Sequence, residues 1–416
     1  MRTKWILFWM LCLVLSLLGC EKKPSSTPQP TPTPDAPVVS PTPTPISATP
    51  QPIQNLAPFH KATNQKFRVA ILESGEWYGY PENFLGILNA LMDLGWMNKI
   101  TFSAEAQKTI VGILKELNSQ SYSDYIEFPQ DMYFSFNWDE KNANDPLFQK
   151  IITQGKNLDA IISFGTASSR AVTASATFDI PVIVTAVSDP VKSGIIQSVN
   201  DSGKDYVTAF CDPERFVRQI RLFYDVIQFK KLGILYTDST AGKTYAALDD
   251  VMAIAKEKGF EVVSNTNLIE EDNDPKAPEQ YIAALKELAP KVDAIYLTIQ
   301  AGLTLQNLPQ ILPIIETNKL PSFAMEGSSY VKHGVLFSIS AYQLSAVGEF
   351  NAKNMIRIFQ GTTPRKLNQI FSITPRIAIN LKAAGRIGYD VPVDILGSSD
   401  EVYTEIEPVP SSPVNP

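Results

Sequence analysis

From Phe67 onward, short apolar runs alternate with stretches whose apolar residues recur at i, i+3 and i+4. Arg68-Val69-Ala70-Ile71-Leu72 has the makeup of a buried strand. A glycine-rich turn follows, and residues 85–92 then carry helical spacing. Residues 158–162 predict a second strand, and Gly165-Thr166-Ala167-Ser168-Ser169 predicts a loop opening a helix that runs to about Ala176. Residues 180–185 predict the next strand. The second half repeats this order, with strands at 231–236, 260–263, 292–297 and 319–324 and an amphipathic helix over 245–258. Asp-Ala-Ile stands at 159–161 and again at 293–295, and an apolar residue precedes proline at 180–181 and at 320–321.

Strands alternating with helices build parallel sheets from βαβ units. The predicted fold is therefore α/β, with two similar doubly wound parallel-sheet lobes joined by a hinge. The first lobe is expected over 66–188 with a return segment at about 327–360. The second is expected over 206–326 with a terminal segment at about 365–405, and 406–416 reads as a disordered tail. Ligands of such sheets bind at the carboxyl ends of the strands, so two facing lobes bring their loops to one cleft.

The first 65 residues have a different pattern. Arg2 and Lys4 precede an apolar run over 5–18, too short for a membrane span and of the right length for a signal peptide. The run ends in Leu17-Leu18-Gly19-Cys20, which resembles the bacterial lipobox, where the cysteine thiol is lipidated and the chain is cut before it. Residues 1–19 are thus expected to be removed and Cys20 to carry a lipid anchor. Residues 21–58 hold 12 prolines among Thr, Ser and Gln, a composition that cannot form a core and favours extended polyproline II. Residues 20–65 read as a disordered tether with a reach on the order of 100 Å.

Composition narrows the chemistry. The chain of 416 residues has 36 Lys+Arg against 43 Asp+Glu, a balance that disfavours nucleic acid as a partner. Two histidines and three cysteines leave little for histidine triads, zinc sites or disulfides. Cys211 lies among apolar residues and reads as a core residue rather than a nucleophile. Gly242-Lys243-Thr244 follows a strand, but Thr237 stands where a phosphate-binding loop needs glycine. No Gly-x-Ser-x-Gly elbow occurs, and the acidic run 270–274 lacks the glycine and distal glutamate of a calcium loop. No catalytic residue, metal or cofactor is indicated.

Four predicted strand ends offer ligand-binding groups. Trp77 and Tyr78 lie in an aromatic loop between glycines and can stack on a ring. Thr166, Ser168 and Ser169 open a helix whose amides and hydroxyls suit a carboxylate, or serve plainly as its N-cap. Asp189 and Glu326 are candidates for an ammonium group, with a turn before Pro190 and an exposed loop carboxylate as their ordinary roles.

The stretch 159–194, centred on Ile180-Pro181-Val182-Ile183-Val184-Thr185-Ala186-Val187-Ser188-Asp189-Pro190-Val191, closely resembles ABC-importer substrate-binding proteins of the tryptophan/tyrosine-binding type. The similarity continues through 206–208, 232–236 and 377–384 and covers nearly all of 67–405. It implies a type I periplasmic-binding-protein fold with three interlobe crossovers and capture of a small solute for a membrane permease. Aromatic amino acids are frequent ligands of that family, with the carboxylate near the loop matching Thr166 to Ser169. The chain departs from the family pattern at 201–206 and 338–343, and 98–150 is longer than usual, with an aromatic insert at 133–138. The resulting expectation is a non-enzymatic, monomeric lipoprotein in the cell envelope, facing the periplasm or exterior, that delivers an amino acid or other small molecule to an ABC permease. A ligand sensor that presents the same solute to a receptor would need the same cleft. An enzyme on a lipid anchor would need a clustered nucleophile, base or metal set, and the sequence signals none.

Overall fold

A computed structural model of the chain describes residues 55–62, 65–153, 157–174, 179–270, 274–339, 342–372 and 376–409. The leader, Cys20, most of the tether, residues 271–273 of the acidic run and the end of the tail lie outside the described residues.

The first sheet holds β1 (Phe67–Glu73), β2 (Ile126–Glu127), β3 (Tyr133–Ser135), β4 (Ala160–Phe164), β5 (Val182–Thr185) and β6 (Val207–Ala209). Its order is β2-β1-β4-β5-β6, and every pairing is parallel. β3 pairs with the end of β1, Ile71 to Glu73, beyond the short β2 contact. The aromatic insert thus extends this edge of the sheet. The second sheet holds β7 (Lys231–Leu235), β8 (Glu261–Asn265), β9 (Ala294–Leu297), β10 (Ser322–Ala324), β11 (Phe337–Ile339), β12 (Ile377–Asn380) and β13 (Ser399–Tyr403). Its order is β13-β12-β11-β10-β9-β7-β8, parallel except between β11 and β12.

Parallel sheets are covered on both faces, so their strands are apolar at successive positions rather than at alternate ones. In β1, Val69 and Ile71 enter one core while Ala70 and Leu72 enter the other. In β9, Ala294 and Tyr296 point to one side and Ile295 and Leu297 to the opposite side. Each lobe therefore has its own pair of cores.

Helices α1 (Gly79–Asp93), α2 (Ile110–Leu117), α3 (Pro146–Thr153) and α4 (Thr166–Thr173) precede the first crossing to the second lobe. There α5 (Arg215–Ile227), α6 (Thr240–Tyr245), α7 (Leu248–Lys258), α8 (Ala277–Leu288), α9 (Leu308–Thr317) and α10 (Ser328–Lys332) surround the second sheet. The long α11 (Tyr342–Phe359) returns to the first lobe and packs along α1. The chain then crosses back to β12, α12 (Leu381–Ile387), α13 (Val393–Gly397) and β13. Three crossings join the lobes.

Three domain boundaries differ from expectation, one of them the tail expected from 406, where Glu407 is bonded to Lys332 and His333 of the second lobe. Strand β6 pairs with β5, so 207–209 complete the first sheet rather than opening the second lobe. The return segment begins with α11, not at 327, because β11 pairs with β10 and α10 packs beside both. The single helix expected over 245–258 is also broken. Ala247 adopts a left-handed φ of 48° between α6 and α7, which redirects the chain.

Candidate functional site

The loops after β1, β4, β5, β9 and β10 converge between the lobes on a cavity of about 370 Å³. That size suits a small organic ligand. From the first lobe, Trp77, Tyr78, Tyr80, Trp138, Thr166 and Ala186 line it. The second lobe supplies Arg215, Gln300, Met325, Glu326, Ser328 and Tyr330. Among the described residues, no group of three or more His, Cys, Asp or Glu stands close enough to hold a metal ion.

The aromatic wall is built around close backbone approaches. Trp77 stacks at a tilt on Tyr78 and edge-on to Tyr80, with ring centroids 4.9 and 5.0 Å apart. Trp138 comes from the insert. Its amide donates to the Ser74 carbonyl at 2.6 Å, and its indole lies so near Gly75 that a Cβ there would sit 2.4 Å from the ring. Asn137 and Trp138 hold left-handed φ values of 48° and 64°, so local strain is spent on aiming this ring. Gly165 enters α4 with φ 88°, and a Cβ would lie 1.9 Å from the Tyr80 hydroxyl oxygen. Only glycine lets the tyrosine reach this corner.

Tyr78 joins the two lobes. Its hydroxyl lies 3.4 Å from Glu326 Oε2 and 3.5 Å from the Glu326 carbonyl oxygen, as donor to both. Burial first, and then the Glu326 and Glu82 carboxylates, push the Tyr78 phenol well above its usual range, while Arg215 pulls the other way. The phenol therefore stays protonated and donates. Tyr330 is pushed up for the same leading reasons, burial and Glu326. Glu82 lines the cavity from α1, and burial, with repulsion from Glu401 of β13 in the second lobe, pushes its carboxyl up to about 7.

Of the residues singled out from the sequence, Trp77, Tyr78, Thr166 and Glu326 line the cavity. Ser168 and Ser169 do not. Both are fully buried on the sheet-facing side of α4, where Ser168 Oγ donates to the Phe164 carbonyl at 2.8 Å and Ser169 Oγ to Ser163 Oγ at 3.0 Å. Asp189 is also absent from the wall. Its Oδ1 accepts from the amides of Val191 at 3.0 Å and Lys192 at 2.9 Å, which is the work of a turn cap before Pro190. Glu270, the first residue of the acidic run, borders the cavity and accepts from Ser239 Oγ at 2.7 Å. Cys211 is buried, and burial pushes its thiol up to about 12.

Tyr80, Glu82, Trp138, Arg215 and Tyr330 were not anticipated. For Trp138 a signal existed in the aromatic insert over 133–138, and for Tyr80 in the loop containing Trp77 and Tyr78. Arg215 carried none, since the short strand β6, which ends six residues before it, has too little pattern to mark a strand end in the sequence.

A family model described as ABC transporter substrate binding protein matches residues 103–403. The tyrosine-binding protein of Clostridioides difficile (strain R20291) is 26% identical over 226 residues, which are 54% of this chain and 61% of that relative. The match thus spans less than two thirds of the relative's length. Among solved structures, the ABC domain in complex with L-Trp from Streptococcus pneumonia superposes with a TM-score of 0.58 at 19% identity, over 81% of this chain and 100% of the other. The ligand-free, open structure of a substrate binding protein with adhesive properties from Clostridium difficile gives a TM-score of 0.57 at 20% identity, over 82% and 100%. Both likenesses establish the type I periplasmic-binding-protein fold.

Proposed function

Because the chain belongs to the ABC transporter substrate-binding protein family, a non-enzymatic family, we propose that its cleft captures an aromatic amino acid for an ABC permease. The observation that carries this reading is the composition of the interlobe cavity. Trp77, Tyr80 and Trp138 offer flat apolar faces, while Glu326 and Arg215 supply opposite charges beside them. A zwitterion with a ring matches that combination, and the name of the curated relative points the same way. Aromatic stacking contributes about 0.5–1.5 kcal/mol per pair beyond burial, so a ring gains over an aliphatic chain here.

Calorimetric titration of the purified protein with L-tyrosine, L-tryptophan, L-phenylalanine, aliphatic amino acids, nucleosides and sugars tests the proposal. At least one aromatic amino acid is expected to bind with a Kd of about 1 μM or tighter. Binding of a sugar or nucleoside with no response to any aromatic amino acid would replace this reading with another solute class.

The lipobox-like Leu17-Leu18-Gly19-Cys20 and the proline-rich tether support a second part of the proposal, a monomer anchored through Cys20 and held within reach of its permease. Cys20→Ala is expected to move the protein from the membrane fraction to the soluble fraction of cells. An unchanged distribution would remove the cysteine from the anchoring role.

A further inference from the structure

Arginines in this fold are almost all paired. Among the described residues, Arg68, Arg170, Arg218, Arg221, Arg365, Arg376 and Arg386 each meet a carboxylate, and Arg357 donates to Asn354 Oδ1. Arg215 is the exception. It stands half-buried at the start of α5, lines the interlobe cavity, and has no carboxylate within ion-pair distance among the described residues. Its guanidinium lies over the ring of Phe216, 5.2 Å from the centroid.

A cation partly removed from water is costly unless an anion or a set of acceptors meets it. Arg215 acts on the buried Tyr78 phenol, and Trp77, Tyr80 and Trp138 line the same cavity, so aromatic surface lowers the local dielectric and strengthens any charge that enters. We infer that Arg215 receives the carboxylate of the bound solute, so that the second lobe reads the ligand's negative group. The planar guanidinium suits a carboxylate through two parallel hydrogen bonds. Glu326 lies on the same lobe, 3.4 Å from the hydroxyl of Tyr78, whose phenol Arg215 also acts on, and takes the ammonium.

The competing carboxylate site is the start of α4, with its amide donors. There the Ser74 hydroxyl already accepts from the Ser168 amide at 3.1 Å, and the Ser169 amide bonds the Gly165 carbonyl at 3.4 Å. Part of that donor set is therefore closed off from a ligand. Arg215 brings a full charge, whereas a helix end brings partial ones.

The inference rests on the amino-acid reading, and the test separates the two. Affinities of wild type, Arg215→Gln and Arg215→Lys are measured for L-tryptophan against tryptamine and for L-tyrosine against tyramine. Each pair shares ring and ammonium and differs in the carboxylate. The wild type is expected to prefer the amino acid by at least about 30-fold. In Arg215→Gln the preference falls below about 3-fold while amine affinity is held, and Arg215→Lys lies between them. A merely structural role would weaken both members of a pair alike.

A preference that survives in Arg215→Gln overturns the inference and leaves the aromatic reading standing, with α4 as the carboxylate site. If the wild type binds neither aromatic pair, the three proteins are titrated with aliphatic and acidic amino acids, 2-oxo acids and dicarboxylates. A carboxylate bound in an Arg215-dependent way then supports the inference while the aromatic reading fails. A panel in which no carboxylate binds overturns both.

Discussion

Gly348→Ala is expected to cost about 3 kcal/mol of folding stability, the upper end for forcing one methyl into a packed interior. A Cβ on Gly348 would lie 2.2 Å from the carbonyl carbon of Gly86 and 2.5 Å from its Cα. These atoms are backbone, so no side chain can swing aside, and α11 must lift from α1. The helix is the element that ties the return crossing to the first lobe. Asn351 Nδ2 donates to Thr185 Oγ1 at 2.9 Å, and Phe359 stacks on Phe67 with centroids 4.2 Å apart. Val347, beside the substituted residue, lines the cavity, so ligand affinity should fall with stability. The control is Gly385→Ala in α12, where a Cβ meets nothing within 4 Å. That change should stabilise the protein by about 0.5–1 kcal/mol, through better helix propensity and a less flexible unfolded chain. Urea unfolding of both variants, with slopes compared, measures the two effects. Equal midpoints for Gly348→Ala and wild type would show that the helices have room the packing denies.

The difference between these two glycines is invisible in the sequence, as both lie in helices among ordinary neighbours. What was legible follows from periodicity and burial. The apolar-rich runs at 68–72, 180–185 and 292–297 read as strands, and strands form at 67–73, 182–185 and 294–297, buried on both faces. Placement of Thr166 in the cleft follows from the strand-end rule. The error at Ser168 and Ser169 has a simple physical origin. At 3.6 residues per turn, 166, 167 and 170 share one face of α4, while 168, 169 and 172 turn toward the sheet. Val172, fully buried, marks that inner face. Treating the first turn as a single donor cluster ignored the rotation. The allegiance of β6 was hidden for another reason. A strand of three residues, Val207–Ala209, contains no signal for which neighbour it will join; Tyr206 and Gln369 decide it through the Val182 amide and the Ala209 amide. Arg215 and Tyr330 become site residues only when the second lobe is placed against the first.

Glu73→Gln should make stability less dependent on pH, by up to about 3 kcal/mol between pH 5 and 8. Glu73 is 3% exposed at the end of β1, and its carboxyl is pushed up to about 7 by burial above all. Tyr133 and Ser135 of β3, as hydrogen-bond partners, pull it down, and Glu76 adds a little repulsion. Tyr133 Oη donates to Glu73 Oε1 at 2.5 Å. The folded-state value lies above the ordinary 4.5, so the folded protein holds a proton that the unfolded chain has released over this interval. The associated stability is fully present below about 4.5 and is lost as pH rises through about 7. Glutamine keeps an acceptor for Tyr133 and has no charge to bury. Glu73→Gln should therefore match wild type near pH 4.5 and exceed it at pH 8. The gain has a functional side, because the Glu73 carbonyl accepts from the Phe136 amide and the Ser74 carbonyl from the Trp138 amide. An ionised Glu73 loosens the edge strand that aims Trp138 at the ligand, so wild-type affinity for an aromatic ligand should weaken above pH 7 and the variant's should not. Melting curves for the pair across this range carry the test, and a stability difference that stays constant with pH would mean that Glu73 is ionised throughout and finds its compensation elsewhere.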